Sequence, residues 1–243
     1  MHQDAAVPPP FAGAILVETH AHTAEVSACS HLPARHLVAL LAQNGYGAAV
    51  ITDHYLAGKT DTDAQRRAFA SGYERAWEAG AAMGVTVLPG MELRFADCGF
   101  EDYLVFLPDP WLLYKLKDIA RMTPEAFRQV ADAEGLLVYQ AHPFRIGLAP
   151  APFSLLDGME VYNGNPNHQN CNQRALAYAQ RRGLRQIAGS DLHEAAGVRR
   201  GGIWAPPTAL TPAGFVRYLR QTSHPALFTP PESDDTCEEE VIS

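Results

Sequence analysis

Short apolar runs alternate with longer stretches of mixed polarity along most of this chain, at spacings that suit strands and helices in turn. Ile15 to Glu18, Ala48 to Thr52, Val85 to Leu88, Leu136 to Gln140, Met159 to Tyr162 and Arg185 to Ala188 read as strands. Between them, Pro33 to Gln43, Thr62 to Met83, Trp111 to Arg121, Pro124 to Ala133 and Gln169 to Arg182 are predicted helices. The punctuation agrees. Proline opens the first helix with Gly45 just past its end, Gly84 stops the second, and Thr123 caps the fourth. Tyr103 to Leu107 is expected to pair as a hairpin beside the third strand, Ile203 and Trp204 form a last strand, and Thr211-Pro212 opens a final helix. Repeated strand–helix units of this length predict an α/β fold with a parallel sheet, and their number favours closure into a barrel.

Length and composition refine this picture without changing it. The 243 residues suit one large domain, with no internal repeat and no linker. Residues 1–13, with Pro8, Pro9 and Pro10, are expected to be an extended arm; residues 14–230 form the barrel domain; residues 231–243 are acidic, hold little that can be buried, and are expected to be disordered. A formal charge of −8 opposes extended contact with a nucleic-acid backbone but not a small anionic substrate. Cys29, Cys98, Cys171 and Cys237 form no CxxC pair, which excludes a zinc ribbon or a thioredoxin-like motif, and their scatter suits a reducing compartment. No basic and apolar leader opens the chain and no run is long enough for a membrane span, so a cytoplasmic protein without membrane contact is expected.

Chemistry gathers where the apolar runs stop. The first strand leads into His20-Ala21-His22, the second into Asp53-His54, the third into Glu92 and Arg94, another into His142-Pro143, and a late one into Asp191-Leu192-His193. Barrel enzymes place their reacting groups at this C-terminal edge. Imidazole and carboxylate together form a ligand set for zinc, manganese or iron. Residues two apart on a strand face the same way, so His20 with His22, and Asp191 with His193, can chelate in pairs. One His-x-His is weak evidence alone, but five strand ends carrying ligand-type residues are hard to assign to chance.

The ordered series His20-x-His22, Asp53-His54, Glu92, His142 and Asp191-x-His193 resembles the PHP family, named for polymerase and histidinol phosphatase, from about Ile15 to Trp204. Its stand-alone bacterial phosphoesterases also carry stretches similar to Val26 to His31 and Glu160 to Asn165. The resemblance implies a distorted (β/α)7 TIM-like barrel in one domain, two or three divalent ions (zinc, manganese or iron), and phosphoester hydrolysis. By the same resemblance His20 and His22 bind a first metal, Glu92 bridges two, Asp191 closes that pair, and His142 serves the second. His54 and His193 would hold a third, with His31 as their partner from the first loop. The family's histidine after the bridging glutamate is replaced, and Asp102 is the nearest substitute; whether it is a ligand stays open here.

The expected activity is hydrolysis of a small phosphomonoester by a water shared between two cations at Glu92. Asp53 and His193 are candidates to steer protons, although Asp53 could instead orient a neighbouring ligand. Arg145, Arg94 and Asn163 are candidates to bind substrate phosphate. Two alternatives share these residues: a nuclease acting on nucleic-acid ends, and a non-catalytic metal-binding regulatory domain. Gly58-Lys59-Thr60 lacks the upstream glycine of a P-loop, and serine-hydrolase, zinc-protease and dinucleotide fingerprints are absent.

Overall fold

The computed structural model describes residues 9–230 and residue 237. Most of the expected N-terminal arm, and the acidic tail apart from Cys237, therefore lie outside the described residues. In chain order the elements are β1 (Ile15–Ala21), α1 (Ala34–Gln43), β2 (Tyr46–Ile51), β3 (His54–Tyr55), α2 (Asp63–Met83), β4 (Thr86–Arg94), β5 (Asp102–Phe106) and α3 (Leu112–Lys115). They continue with α4 (Pro124–Glu134), β6 (Leu137–Gln140), β7 (Gly158–Asn163), α5 (Asn172–Arg182), β8 (Arg185–Gly189), β9 (Gly202–Ala205), α6 (Pro212–Gln221) and β10 (Leu227–Phe228).

The strands run in the order β10-β9-β1-β2-β4-β5-β6-β7-β8, with β3 beside β4. Pairing is parallel through β1-β2-β4 and β6-β7-β8; α1, α2 and α5 cross between strands, while a loop with a single 3-10 turn (Phe153–Leu155) joins β6 to β7. It is antiparallel around β5, the expected hairpin, and around β9. The first half of β1 (Ile15 to Val17) pairs with β9. Its far end instead meets the segment after β8: the His22 amide donates to the Leu192 carbonyl at 3.1 Å, and the Leu192 amide donates to the His20 carbonyl at 3.0 Å. The sheet thus returns on itself as a nearly closed barrel.

Val17, Val50, Leu88, Leu104, Phe106, Tyr139, Ile187 and Ile203 fill the interior and are covered by Phe215 and Leu219 of α6. Leu37 and Leu41 of α1 pack with Ala76 of α2 on the outside. Helix α2 is set by a capping box between Thr62 and Gln65 and stops at Gly84, whose φ of 74° is the left-handed conformation glycine adopts freely.

Two predicted helices are shorter than their patterns suggest. Trp111 to Arg121 is broken into α3 and a single 3-10 turn (Ile119–Arg121), because Asp118 sits at φ 58° and the ladder cannot pass through it. Gln169 to Cys171 stays outside α5: Cys171 has φ 52°, and the Asn170 and Asn172 side chains donate to the Asn163 carbonyl. Cys171 is also joined to Cys237 by a disulfide, so the fit of the scattered cysteines to a reducing compartment does not extend to that pair. Among the described residues no helix is long and apolar enough to cross a membrane.

Candidate metal centre

β1 runs three residues beyond its predicted end, which puts His20 within the strand and His22 one step past it. The period of two sends Glu18, His20 and His22 to one face, and all three are fully buried. β4 likewise extends through Glu92 to Arg94. The turns after β6 and β8 present His142 at φ 29° and Asp191 at φ 51°. A non-glycine residue there costs on the order of 1–3 kcal/mol, and such strain gathers at functional positions.

Glu92 lies at the centre. Its Oε1 is 3.0 Å from His142 Nε2 and 3.4 Å from His20 Nε2, and its Oε2 is 2.9 Å from His54 Nδ1 and 3.4 Å from His22 Nε2. Asp191 Oδ1 lies 3.3 Å from the same His20 nitrogen and 3.4 Å from the same His22 nitrogen. The opposite ring nitrogens are already committed. His20 Nδ1 donates to Glu160 Oε1 at 2.9 Å, His22 Nδ1 to Ser27 Oγ at 3.3 Å, and His193 Nδ1 to the Asp191 carbonyl at 2.9 Å. Each of these rings therefore turns its Nε2 inward, and His20 Nε2, His22 Nε2 and Glu92 Oε2 have no hydrogen-bond partner. Orphaned imine nitrogens and anionic oxygens converging on one buried point are what a divalent cation requires and what a protein otherwise avoids.

The electrostatics agree. Burial pushes Glu92 and Asp191 upward, yet His54 and His20 hold Glu92, and His20 holds Asp191, well below the usual carboxylate range. Burial takes His22 down to about 3, so that ring is neutral. Against the same burial, Asp191, Glu160 and Glu92 raise His20 well above the ordinary imidazole value. A cation in the same place would answer that pull. Among the described residues, three groups have ligand atoms within 4.8 Å of one another: His20, His22 and Glu92; His54, Glu92 and Asp102; and His22, His54 and His193.

Asp102 thus stands among the ligand-type residues, held by two bonds from Arg94 (2.7 and 2.5 Å). His31 does not: it is exposed, and only its backbone amide reaches the cluster, donating to the His193 carbonyl at 2.8 Å. Residue Cys29 from the same loop lies nearer, beside the rings of His193 and His54 and in the wall of a cavity that it shares with His54.

Asp53 is turned away from Glu92. One oxygen accepts from the Thr23 amide and Ser27 hydroxyl, the other from the Thr23 hydroxyl, all at 2.7 Å. A side chain on Gly72 of α2 would collide with Asp53 and Thr23, so the helix packs close only as glycine. Burial lifts Asp53 to about 6 against those hydrogen bonds. Its place is that of an orienting group: it fixes Ser27, and Ser27 fixes His22.

Sequence reasoning passed over two buried acids. Glu160 accepts from His20 Nδ1, from the His142 amide and from the Asn163 side chain, both of the latter at 2.9 Å. Glu18 accepts from the His20 and Ser190 amides at 3.0 and 2.9 Å, and burial lifts it to about 7. The available signal was an acid inside an apolar strand, which alternation does not explain in a fully buried sheet.

Arg145 donates to Asp191 Oδ2 at 2.7 Å, to Asn170 at 2.8 Å and to Asn163 at 3.3 Å. With Arg94, Asp102, His142 and His168 it lines a cavity of about 380 Å³ beside the centre, with exposed Phe100 and Ile146 also in its walls. Asn163 is not among those lining residues; it is buried beneath, holding Arg145 and Glu160. A second cavity of about 560 Å³ opens on the other side, lined by Cys29, His54, Leu56, Lys59 and Phe69.

Fold and site together define an α/β-barrel protein with a His–carboxylate centre at the outgoing strand ends. Residues 169–223 match the family model described as PHP-associated. The fold is similar to that of a two-domain protein from Bacteroides vulgatus ATCC 8482 containing a predicted PHP-like metal-dependent phosphoesterase (TM-score 0.66, 16% identity, covering 91% of this chain and 67% of that one). It is equally similar to PsfC from Pseudomonas syringae PB-5123 (TM-score 0.65, 17% identity, covering 90% and 93%). No curated protein matches the chain. The family-model match is confined to residues 169–223, and the two solved structures show that the barrel fold is shared.

Proposed function

We propose that the chain is a metal-dependent phosphoesterase that hydrolyses a small phosphomonoester. The observation that carries this reading is the convergence of unpartnered His20 and His22 nitrogens on Glu92 and Asp191, next to a cavity whose wall holds two arginines. His20, His22, Glu92 and Asp191 would hold one cation, Glu92, His142 and Asp102 a second, and His54 and His193 part of a third. Bound divalent ions would supply Lewis acidity toward phosphoryl oxygens and a water acidic enough to attack near neutral pH.

The chain's own residues do the rest. Glu160 and Ser27 fix which nitrogen His20 and His22 present. Asn163, Asn170 and Asp191 take up Nε and Nη2 of Arg145 and hold its guanidinium at the cavity wall, where Nη1 is placed to donate to a phosphate oxygen. A cavity of about 380 Å³ suits a phosphate on a small molecule better than a polymer, and the net charge of −8 opposes a long anionic strand.

The test is a set of side-by-side rates with zinc, manganese or iron on a sugar phosphate, a nucleoside monophosphate and a 5′-phosphorylated oligonucleotide. Faster turnover of the small esters is expected. A clear preference for the oligonucleotide, with salt-sensitive binding, would instead favour a nuclease, and no hydrolysis of any ester by fully loaded protein would favour a regulatory metal-binding domain.

A further inference from the structure

The loop after β1 is pinned on both sides of Cys29. Ser27 is buried, with its hydroxyl on Asp53, and Ser30 is buried, with its hydroxyl on the His22 carbonyl at 2.8 Å. The Ser30 amide closes a tight turn onto the Ser27 carbonyl at 2.9 Å, and Ala28 and Cys29 occupy the middle of that turn. Cys29 is therefore delivered to a fixed place, beside His54 in the wall of the 560 Å³ cavity.

An independent observation points to a ligand at this spot. His22, His54 and His193 bring three ring nitrogens within 4.8 Å of one another. The His22 ring stacks on His193 with centroids 4.2 Å apart and lies 4.6 Å from His54. His22 is fully buried, and its inward Nε2 has no hydrogen-bond partner. Glu92 and Asp191 reach these rings from the side of the main cluster, and Cys29 is the ligand-type side chain that the 560 Å³ cavity adds beside His54.

We propose that Cys29 is a thiolate ligand of the cation held by His54 and His193, beside the His22 ring. This corner of the centre would then select a thiophilic metal such as zinc over magnesium or manganese. Binding exchanges the thiol proton for the metal–sulfur bond, and the proton leaves to solvent. The proposal rests on the metal-centre reading but asks a narrower question: which atom completes the third group.

The test uses the full chain loaded with cobalt(II) and, separately, zinc. Thiolate-to-cobalt charge-transfer absorption in the near ultraviolet, and a sulfur scatterer about 2.3 Å from zinc by X-ray absorption, are expected in the parent and in Cys98→Ser. Both should disappear in Cys29→Ser, and zinc should bind there at least tenfold more weakly while the remaining equivalents still load. Circular dichroism establishes that the variant is folded. His31→Ala should keep the sulfur signature. Cobalt bound without the charge-transfer band would overturn the assignment and leave the metal centre standing. A band that survives in Cys29→Ser would overturn it too, and failure to bind any cobalt would remove both the assignment and the reading beneath it.

Discussion

Replacing Glu160 with glutamine isolates an acid that touches no proposed substrate. Its Oε1 accepts from His20 Nδ1, and its Oε2 accepts from the His142 amide and the Asn163 side chain. Glutamine is nearly isosteric, but one of its two positions is now a donor. Facing Oε2, the new NH2 would oppose two donors; facing Oε1, it opposes one. The second arrangement wins, and His20 relieves it by moving its proton to Nε2. That proton then points at Glu92 and Asp191, 3.4 and 3.3 Å away, where a cation needs a lone pair. Losing such an orienting partner costs roughly 10- to 100-fold in metal affinity, or about 1.4–2.7 kcal/mol. The bonds at this buried position also lose their charge assistance, about 1–3 kcal/mol of stability. Competition of the metal-free protein against a chromophoric chelator measures the first, and thermal unfolding with and without metal measures the second. A Glu160→Gln protein that binds metal within threefold of the parent and unfolds at the same temperature would refute the tautomer argument.

Three further outcomes follow from the same geometry. Glu92→Gln should lower phosphoester hydrolysis by about 10²-fold or more, because a neutral amide cannot serve two cations; parent-like turnover in a steady-state assay would rule out the shared carboxylate. Arg145→Ala should raise KM roughly tenfold or more, the loss of about 1.5–3 kcal/mol in charge-assisted bonding, with kcat less affected; an unchanged KM would exclude contact with substrate phosphate. Chelation should lower the melting temperature: metal at ~100 times its Kd contributes about 2.7 kcal/mol, or roughly 5–11 °C for a chain of this size, and calorimetry showing no shift would place the ions outside the folded core.

Much of the site could be read from the chain because a barrel converts sequence order into convergence. An inward-facing His, Asp or Glu at the outgoing end of a strand points toward a common axis, so five separate strand ends supply most of the candidate ligands, while Asp53 turns away to Thr23 and Ser27. What stayed hidden depended on loops and side-chain partners. His31 and Cys29 are two residues apart in one loop, and only the turn pinned by Ser27 and Ser30 decides which of them reaches His54. Glu160 was invisible because an acid within a buried strand shows its purpose only through His20, which lies 140 residues away. The break at Asp118 overrode a helical pattern through a single left-handed residue. The Cys171–Cys237 bond links positions 66 residues apart that no local pattern connects.

The split in β1 has a mechanical consequence. That strand has two neighbours on one side, β9 along its first half and the Leu192 segment at its far end. Between them Glu18 stands in for a missing strand, its carboxylate collecting the His20 and Ser190 amides. This is the seam of the barrel, and its two lips carry His20 and His22 on one side and Asp191 and His193 on the other. A cation gripped from both lips is a rivet across the seam as well as a reagent. Loading the site and closing the wall are then one event, and amide exchange at His20, His22, Ser190 and Leu192 should slow together as metal is added.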